Sequence, residues 1–353
     1  MLAKPMKITI QANSGEFSFD CGASERILYA ALGQGLRLPY ECATGTCGTC
    51  RGRVVRGSTL LEWDEAPGYA KLKREKGDVL MCQARPTSDC ILRVPANLSP
   101  PDPACATLPR HRQARITHWH RHVHDVIEID IALSQPIAFD AGQFVVLEVP
   151  GVRGGRAYSM VNYSPGGERL RFVVKQKPGG ALSDWLFGRD ATGREVDLFG
   201  PLGAATFRPA EGRNILCIAG GSGIAGMLAI LEHARRESYF QGHVGHVFFG
   251  VRGLADGFYL AELADHVAAA GGKLHVTLAL SHEPAPSHMH PQFPSIGLAT
   301  GMVTDVMSRE MAGRYDGTVS FIAGPPPMVD EALRLLIRVA RQPASFVRYD
   351  KYT

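Results

Sequence analysis

Four cysteines constrain this chain more than any other feature. Cys42, Cys47 and Cys50 lie in one segment rich in Gly and Thr, and Cys82 follows far along the chain. A gap of four residues, a gap of two, and then a distant cysteine is the spacing of plant-type [2Fe-2S] clusters. Small residues let one loop wrap tightly enough for three thiolates to reach one cluster. Zinc is the alternative, but four-cysteine zinc sites usually pair two close Cys-x-x-Cys units, and Cys82 has no such partner.

The other four cysteines stand apart from this set and are expected to be buried or incidental thiols. They are Cys21, Cys90, Cys105 and Cys217.

Composition limits the class of protein. With 45% hydrophobic and 20% charged residues in 353, the chain is typical of a globular protein of two or three domains. The formal charge of +4 is small and spread along the chain, so nucleic-acid binding is not expected. The uncharged apolar run at residues 215–231 falls just short of a spanning helix and is broken by glycines, so no membrane span is expected. No signal peptide is predicted at the start, and a cytoplasmic location follows as the expectation.

Changes of pattern along the chain divide it into three domains and a linker. The pattern of residues 1–98 predicts a small α+β module, and the proline-rich residues 99–111 are predicted to form a semi-rigid linker. Short β-rich runs in residues 112–209 predict a small antiparallel β-barrel. Residues 210–353 alternate strands, glycine turns and helices, which predicts a doubly wound parallel α/β sheet.

The predicted barrel carries a motif suited to a flavin. The guanidinium of Arg156 can pair with a phosphate, the ring of Tyr158 can pack on the isoalloxazine, and the hydroxyl of Ser159 can reach its reactive edge. Downstream, Gly179 and Gly180 open a short helix carrying Ser183, whose N-terminus suits a pyrophosphate. An ordinary strand edge followed by an exposed hairpin would give the same residues, and only the order of the motifs argues against that reading.

The third domain carries two loops suited to a dinucleotide. Gly220, Gly221, Ser222 and Gly223 join a buried strand to a helix, so the backbone can approach a pyrophosphate at the helix N-terminus. Near the C-terminus, the segment containing Gly324 and Pro325 ends another strand at the ligand-binding edge of such a sheet. A proline-started helix cap is the alternative for the second loop.

A histidine-rich stretch resembles a metal tract. Four histidines alternate with other residues and would share one face of a strand: His118, His120, His122 and His124. A solvated strand edge is favoured over a metal site here, and the His- and Pro-rich residues 281–294 are predicted to form an exposed loop without chemistry.

With these motifs in order, the chain resembles the NADH-dependent reductase components of bacterial multicomponent oxygenases, among them toluene, phenol and methane monooxygenases and some Rieske dioxygenases. The resemblance covers nearly the whole chain and implies a ferredoxin-like (β-grasp) domain, an antiparallel β-barrel FAD domain and a doubly wound NAD-binding domain. Residues 63–68, continuing to residues 82–89, look particularly like the toluene monooxygenase type.

The resemblance also implies residue roles and partners. Arg156, Tyr158, Ser159, Gly179, Gly180 and Ser183 would hold FAD, and Gly220 to Gly223, Gly324 and Pro325 would hold NADH. Ser159 and the closing residues Tyr349 and Tyr352 would act in catalysis, with one tyrosine shielding the flavin. The expected partner is a terminal oxygenase or an intermediate ferredoxin, contacted around Glu41 to Arg51, and the protein is expected to be a monomer.

Some features depart from the family or leave its function open. Ala323 stands where many relatives have cysteine, and Gly226 where proline is usual. Arg252 could accept a 2′-phosphate, which Asp256 would oppose, so NADH is favoured over NADPH only moderately. Three other functions are open: a reductase for deoxysugar synthesis, a free-standing ferric or quinone reductase, and a cluster-bearing redox sensor without enzyme activity.

Overall fold

Three main sheets, one in each predicted domain, organise the chain. The structure is a computed structural model that describes residues 4–100 and 107–352. Half of the predicted linker and Cys105 therefore lie outside the described residues, and the domain boundaries stay predictions.

The first domain is a mixed β-sheet with one helix and a small second sheet. Its main sheet has the strand order β2-β1-β7-β3-β5, and β4 pairs with β6. Its elements are β1 (Met6–Ala12), β2 (Gly15–Cys21), α1 (Ile27–Gly33), β3 (Arg51–Arg56), β4 (Thr59–Leu61), β5 (Asp78–Leu80), β6 (Ala84–Pro86) and β7 (Cys90–Val94). The predicted β1–β2 hairpin is present, and β7 pairs in parallel with β1. The loop between α1 and β3 holds the three close cysteines.

The second domain is a six-stranded antiparallel sheet in the order β11-β10-β13-β8-β9-β12. The N–H of Val161, just beyond β11, donates to the carbonyl of Arg171 in β12 (2.9 Å), which brings the two edges together as a barrel. Its elements are β8 (Arg110–Val123), β9 (Val126–Ile137), β10 (Phe144–Glu148), β11 (Arg156–Ser159), β12 (Gly167–Lys175), α2 (Ala181–Phe187) and β13 (Glu195–Leu202). The predicted flavin motif is therefore an edge strand, β11, and the residues that open α2.

The third domain is a six-stranded parallel sheet in the order β17-β16-β15-β14-β18-β19. Its elements are β14 (Asn214–Gly220), α3 (Ile224–Arg236), β15 (Gly245–Val251), α4 (Leu260–Ala269), β16 (Leu274–Leu280), β17 (Ile296–Thr300), α5 (Val303–Glu310), β18 (Thr318–Gly324), α6 (Pro326–Leu333) and β19 (Val347–Lys351). Helices cover both faces, because one core cluster lies against α3 and α4 and a second against α5 and α6. The multidomain fold class is thereby confirmed.

Neighbouring domains are joined by continuous hydrophobic cores. Barrel residues Phe144, Val146, Phe199 and Leu202 belong to the same buried cluster as the core of the first domain. The rings of Tyr29 and Phe199 stack across this boundary with centroids 4.0 Å apart. The barrel core is likewise continuous with that of the third domain. Among the described residues, no helix is both long and apolar enough to cross a bilayer.

Candidate functional site

The four cysteines of the predicted set converge as two pairs. The sulfurs of Cys42 and Cys47 lie 3.2 Å apart, and those of Cys50 and Cys82 also lie 3.2 Å apart. All four side chains are buried. The loop turns sharply at Ala43, Gly45 and Gly48, which have positive φ angles of 56°, 93° and 87°.

Backbone donors point at these sulfurs. The N–H groups of Thr44 and Cys47 lie 3.4 Å from the sulfur of Cys42, and the N–H of Thr49 lies 3.4 Å from that of Cys47. Such donors stabilise thiolates, and their number is a known determinant of cluster potential. The loop therefore supplies both the ligands and the amide dipoles that a charged cluster requires.

The pairing fits two metal ions better than one. A single tetrahedral zinc with Zn–S bonds of about 2.3 Å would hold all four sulfurs about 3.8 Å from one another. In the part of the chain that the structure describes, no three His, Cys, Asp or Glu side chains are arranged to hold a single ion. Two cysteines for each of two irons matches the observed pairs.

The predicted flavin and nicotinamide residues line one cavity of about 1570 Å³ where the three domains meet. The site residues that line it are Arg156, Tyr158, Ser159, Gly179, Gly180, Ser183, Gly220, Gly221, Ser222, Pro325, Tyr349 and Tyr352. Cys42 and Thr44 of the cluster loop belong to the same wall. One cavity thus brings the nicotinamide loop, the flavin motif and the cluster loop together.

Gly223 and Gly324 do not line the cavity, and the structure gives both a packing role. A Cβ on Gly223 would lie 2.0 Å from the carbonyl oxygen of Ala323, and one on Gly324 would lie 2.9 Å from Met328 and 3.2 Å from Gly220. These glycines allow β14, α3 and β18 to approach closely, so that the ligand-facing loop Gly220–Ser222 reaches the cavity.

Two of the three predicted catalytic hydroxyls lie close together in the cavity wall. The hydroxyls of Ser159 and Tyr352 lie 3.3 Å apart, and either can donate to the other. Burial raises the pKa of Tyr352, so its hydroxyl stays protonated. Tyr349 is 38% exposed and makes no such contact. The geometry therefore favours Tyr352 over Tyr349 as the residue beside the flavin edge.

The side chain of Ser183 forms its hydrogen bonds within its own loop. Its hydroxyl accepts from the N–H of Lys177 (3.2 Å) and lies 2.9 Å from the carbonyls of Lys177 and Gly180. The hydroxyl has one proton, which it donates to a backbone carbonyl oxygen of this loop. Ser183 shapes the turn that opens α2, and the backbone of Gly179 and Gly180 remains the surface offered to a phosphate.

Arg156 is held by the first domain, which the sequence reasoning missed. Its guanidinium lies over the ring of Trp63, 5.0 Å from the centroid. It also donates to the carbonyls of Gly154 (3.2 Å) and Gly155 (2.9 Å). Trp63 packs so closely that a Cβ on Gly154 would lie 2.6 Å from its ring. The only signal in the sequence was that Trp63 belongs to the motif of residues 63–68.

Asp350 lies between the two closing tyrosines in the same cavity wall, and sequence reasoning gave it no role. Asp350 is half-buried, and the partial loss of solvent raises the pKa of its carboxyl to about 7. The charge of this carboxylate also contributes to the raised pKa of the Tyr352 hydroxyl.

The histidine stretch lies along β8 and its end. His118, His120 and His124 are exposed, whereas His122 is half-buried and lies 3.2 Å from the carboxylate of Glu128. The hydroxyl of Tyr259 donates to the same carboxylate at 2.5 Å. His122 thus belongs to a contact between the second and third domains.

Comparison with known proteins agrees with this architecture. Residues 10–87 match the 2Fe-2S iron-sulfur cluster binding domain, residues 113–207 the oxidoreductase FAD-binding domain, and residues 217–334 the oxidoreductase NAD-binding domain. The three models together cover most of the chain and confirm the three cofactors.

Full-length relatives show the same three domains. The chain is 36% identical over 349 residues to the ferredoxin–NAD(+) reductase component of the alkene monooxygenase system of Xanthobacter autotrophicus, covering 97% of this chain and 100% of the relative. It is 30% identical to the xylene/toluene monooxygenase electron transfer component of Pseudomonas putida, covering 97% and 93%. The solved ferredoxin reductase in carbazole 1,9a-dioxygenase has 28% identity and a TM-score of 0.83, with 99% of each chain covered. The chain therefore belongs to the NAD-dependent iron–sulfur flavoprotein reductases that serve as electron-transfer components of monooxygenase and dioxygenase systems.

Proposed function

We propose that this reductase takes electrons from NADH and passes them through its cluster, one at a time, to the oxygenase component or the ferredoxin of a hydrocarbon-oxidising system. One observation carries the proposal: the cluster loop, the flavin motif and the nicotinamide loop form the wall of one cavity. Relatives named for alkene, xylene/toluene and phenol monooxygenases support the class of partner.

Different residues of the cavity are proposed to have different roles. When bound, FAD accepts a hydride from the reduced nicotinamide and releases single electrons, which the [2Fe-2S] cluster carries onward. Arg156, fixed by Trp63, offers donors to the flavin phosphates. Ser159 and Tyr352 place hydroxyls at the flavin edge. Cys42 and Thr44 bring the cluster loop to the wall of the same cavity.

NADH is the proposed donor. Asp256 lies in the cavity wall close to Arg252 and accepts from the N–H of Gly253 at 3.0 Å, which holds its carboxylate in place. A fixed carboxylate suits a ribose 2′-hydroxyl and repels a 2′-phosphate. We expect kcat/KM for NADH to exceed that for NADPH, measured by steady-state ferricyanide reduction.

We further propose a monomer in the cytoplasm. The cluster loop, the flavin motif and the nicotinamide loop of a single chain meet at one cavity, which supports a monomer as the working unit. All described cysteines are free, as a thiolate cluster in a reducing compartment requires.

An anaerobic NADH titration followed by absorbance and low-temperature EPR tests the route of the electrons. The intact protein is expected to bleach in both flavin and cluster bands and to show a rhombic [2Fe-2S] signal. Cys47→Ala is expected to lose the EPR signal while NADH still reduces ferricyanide at the flavin. Cys90→Ala, a buried cysteine outside the set, is the matched control and keeps both. Loss of ferricyanide reduction from Cys47→Ala with FAD still bound would contradict this serial order.

A further inference from the structure

The cluster loop has two sides, and only one is turned to solvent. Cys42 and Thr44 are buried and line the cavity shared with the flavin motif, so that side faces the junction of the domains. On the other side, Thr49 and Arg51 are exposed. A protein that accepts electrons from the cluster has access there.

The solvent side is bordered by a segment that packs directly on the loop. The N–H of Gly68 donates to the carbonyl of Gly45 (2.8 Å), and the ammonium of Lys71 donates to the carbonyl of Cys47 (2.8 Å). Residues 71–77 then run beside β3, where the N–H of Val54 donates to the carbonyl of Gly77 at 2.9 Å. Residues 71–77 and the start of β3 therefore form one continuous surface around the exposed edge of the loop.

Six basic side chains occupy this surface, which we call the basic face. They are Arg51, Arg53, Lys71, Lys73, Arg74 and Lys76. Asp78 connects its two halves, since it accepts from the guanidinium of Arg53 (2.7 Å) and from the N–H of Lys73 (3.2 Å).

The positive charge of the basic face is largely uncompensated. Among the described residues, Arg53 is the one member in an ion pair, and its partner Asp78 is buried. Arg74 lies over the ring of Tyr69 and donates to a backbone carbonyl, so its charge is not neutralised. Glu75 is the one acidic residue within residues 71–76. The whole chain carries only +4, so this local excess is not a property of the entire surface.

We propose that the basic face is the docking surface for the electron acceptor, and that the acceptor is a protein with an acidic patch around its own redox centre. The inference rests on the proposed function, because it assumes that electrons leave from the cluster. Complementary charge raises the rate of encounter by about 10- to 1000-fold and orients the two proteins without a large apolar interface. The basic face encloses the solvent side of the loop, so docking there brings the partner's centre next to the cluster.

The test uses two haem proteins of opposite charge as probes, with the FAD- and cluster-loaded full-length reductase. The acidic haem domain of cytochrome b5 represents the proposed partner, and the basic cytochrome c is its opposite. The variant Lys73→Glu/Arg74→Glu/Lys76→Glu reverses three charges on the basic face. The control Arg309→Glu/Arg314→Glu/Arg338→Glu makes the same change in net charge at exposed positions of the third domain. Flavin bleaching by NADH in a stopped-flow instrument verifies that each variant is loaded and intact.

We expect the first variant to reduce cytochrome b5 about tenfold more slowly at low ionic strength and cytochrome c faster, with the salt dependence of both reversed. The control is expected to change either rate by less than about twofold. Equal slowing by both variants, or no change in the first, would overturn the inference. The proposed function is tested separately: if Cys50→Ser, which lacks a cluster ligand, reduces cytochrome b5 as fast as the intact protein, electrons do not leave from the cluster.

Discussion

At the scale of single residues, Trp63 shows how one domain completes the site of another. It belongs to the cluster domain, yet its ring holds the guanidinium of Arg156 in the flavin cavity. Such a contact contributes about 0.5–2 kcal/mol, depending on how well it is desolvated. We therefore expect Trp63→Ala to weaken FAD binding roughly 2- to 30-fold. Fluorescence titration of the flavin-free protein with FAD measures this directly.

Two further variants distinguish a loss of Arg156 positioning from a general loss of protein stability. Trp63→Phe keeps an aromatic face and is expected to recover most of the affinity. Trp119 also lies under an arginine, since the guanidinium of Arg121 is 5.5 Å from its ring centroid, but Trp119 does not line the cavity. The variant Trp119→Ala is therefore expected to bind FAD normally. Equal losses from Trp119→Ala and Trp63→Ala, or no loss from Trp63→Ala, would refute the role.

At the scale of elements, α3 has an unusual first turn because Gly226 replaces the proline common in the family. A Cβ at this position would lie 3.6 Å from the Cβ of Ser159, an ordinary van der Waals contact. Gly226→Ala should therefore stabilise the helix by roughly 0.5–1 kcal/mol by removing backbone freedom from the unfolded chain. The expected result is a rise of roughly 1–4 °C in the thermal midpoint of the loaded protein.

Gly223, three residues earlier, is the matched contrast. A Cβ there would lie 2.0 Å from the carbonyl oxygen of Ala323, so Gly223→Ala must displace β18 or α3. We expect a lower thermal midpoint and weaker NADH binding from that change. A destabilised Gly226→Ala would show that the contact with Ser159 is tighter than its distance implies.

The elements differ in how far sequence could predict them. Strands such as β18 are buried along their length, so their apolar runs were visible. β19 was not predicted, because only Val347 in it is buried and Tyr349, Asp350 and Lys351 follow without alternation. It is a strand because it pairs with β18 at the edge of the sheet, a tertiary contact that no local pattern records.

The residues of the candidate site also differ in how far the sequence could predict them. The cysteine spacing and the glycine loops follow from covalent and backbone requirements, so the sequence indicated them. The support of Arg156 by Trp63 depends on how two domains meet, which spacing along one chain cannot reveal. Gly223 and Gly324 were predicted to line the nicotinamide site, but in the structure they allow close packing of β14, α3 and β18 and do not line the cavity.

At the scale of the whole molecule, the cluster domain is fixed to the barrel by a shared core and an ion pair. The guanidinium of Arg26, 11% exposed, pairs with the carboxylate of Glu148 beside the stacked rings of Tyr29 and Phe199. Removing one partner of a buried pair typically costs about 3–5 kcal/mol, because the other charge remains desolvated. The carboxylate of Glu148 is 33% exposed, so the cost here lies below that range.

Glu148→Gln is therefore expected to loosen the docking of the cluster domain without changing the cavity residues of the barrel. Rapid mixing with NADH under anaerobic conditions separates the two consequences. Bleaching of the flavin should slow less than cluster reduction, because the nicotinamide and flavin residues lie in the second and third domains and the first domain contributes to them through Trp63. Cluster reduction should slow by a few-fold, since the loop carrying Cys42 spends less time against the cavity. Glu331→Gln breaks an exposed pair with Arg334 and should leave both rates unchanged. If cluster reduction in Glu148→Gln matches that of the unaltered protein, the shared core alone holds the two domains at their working distance.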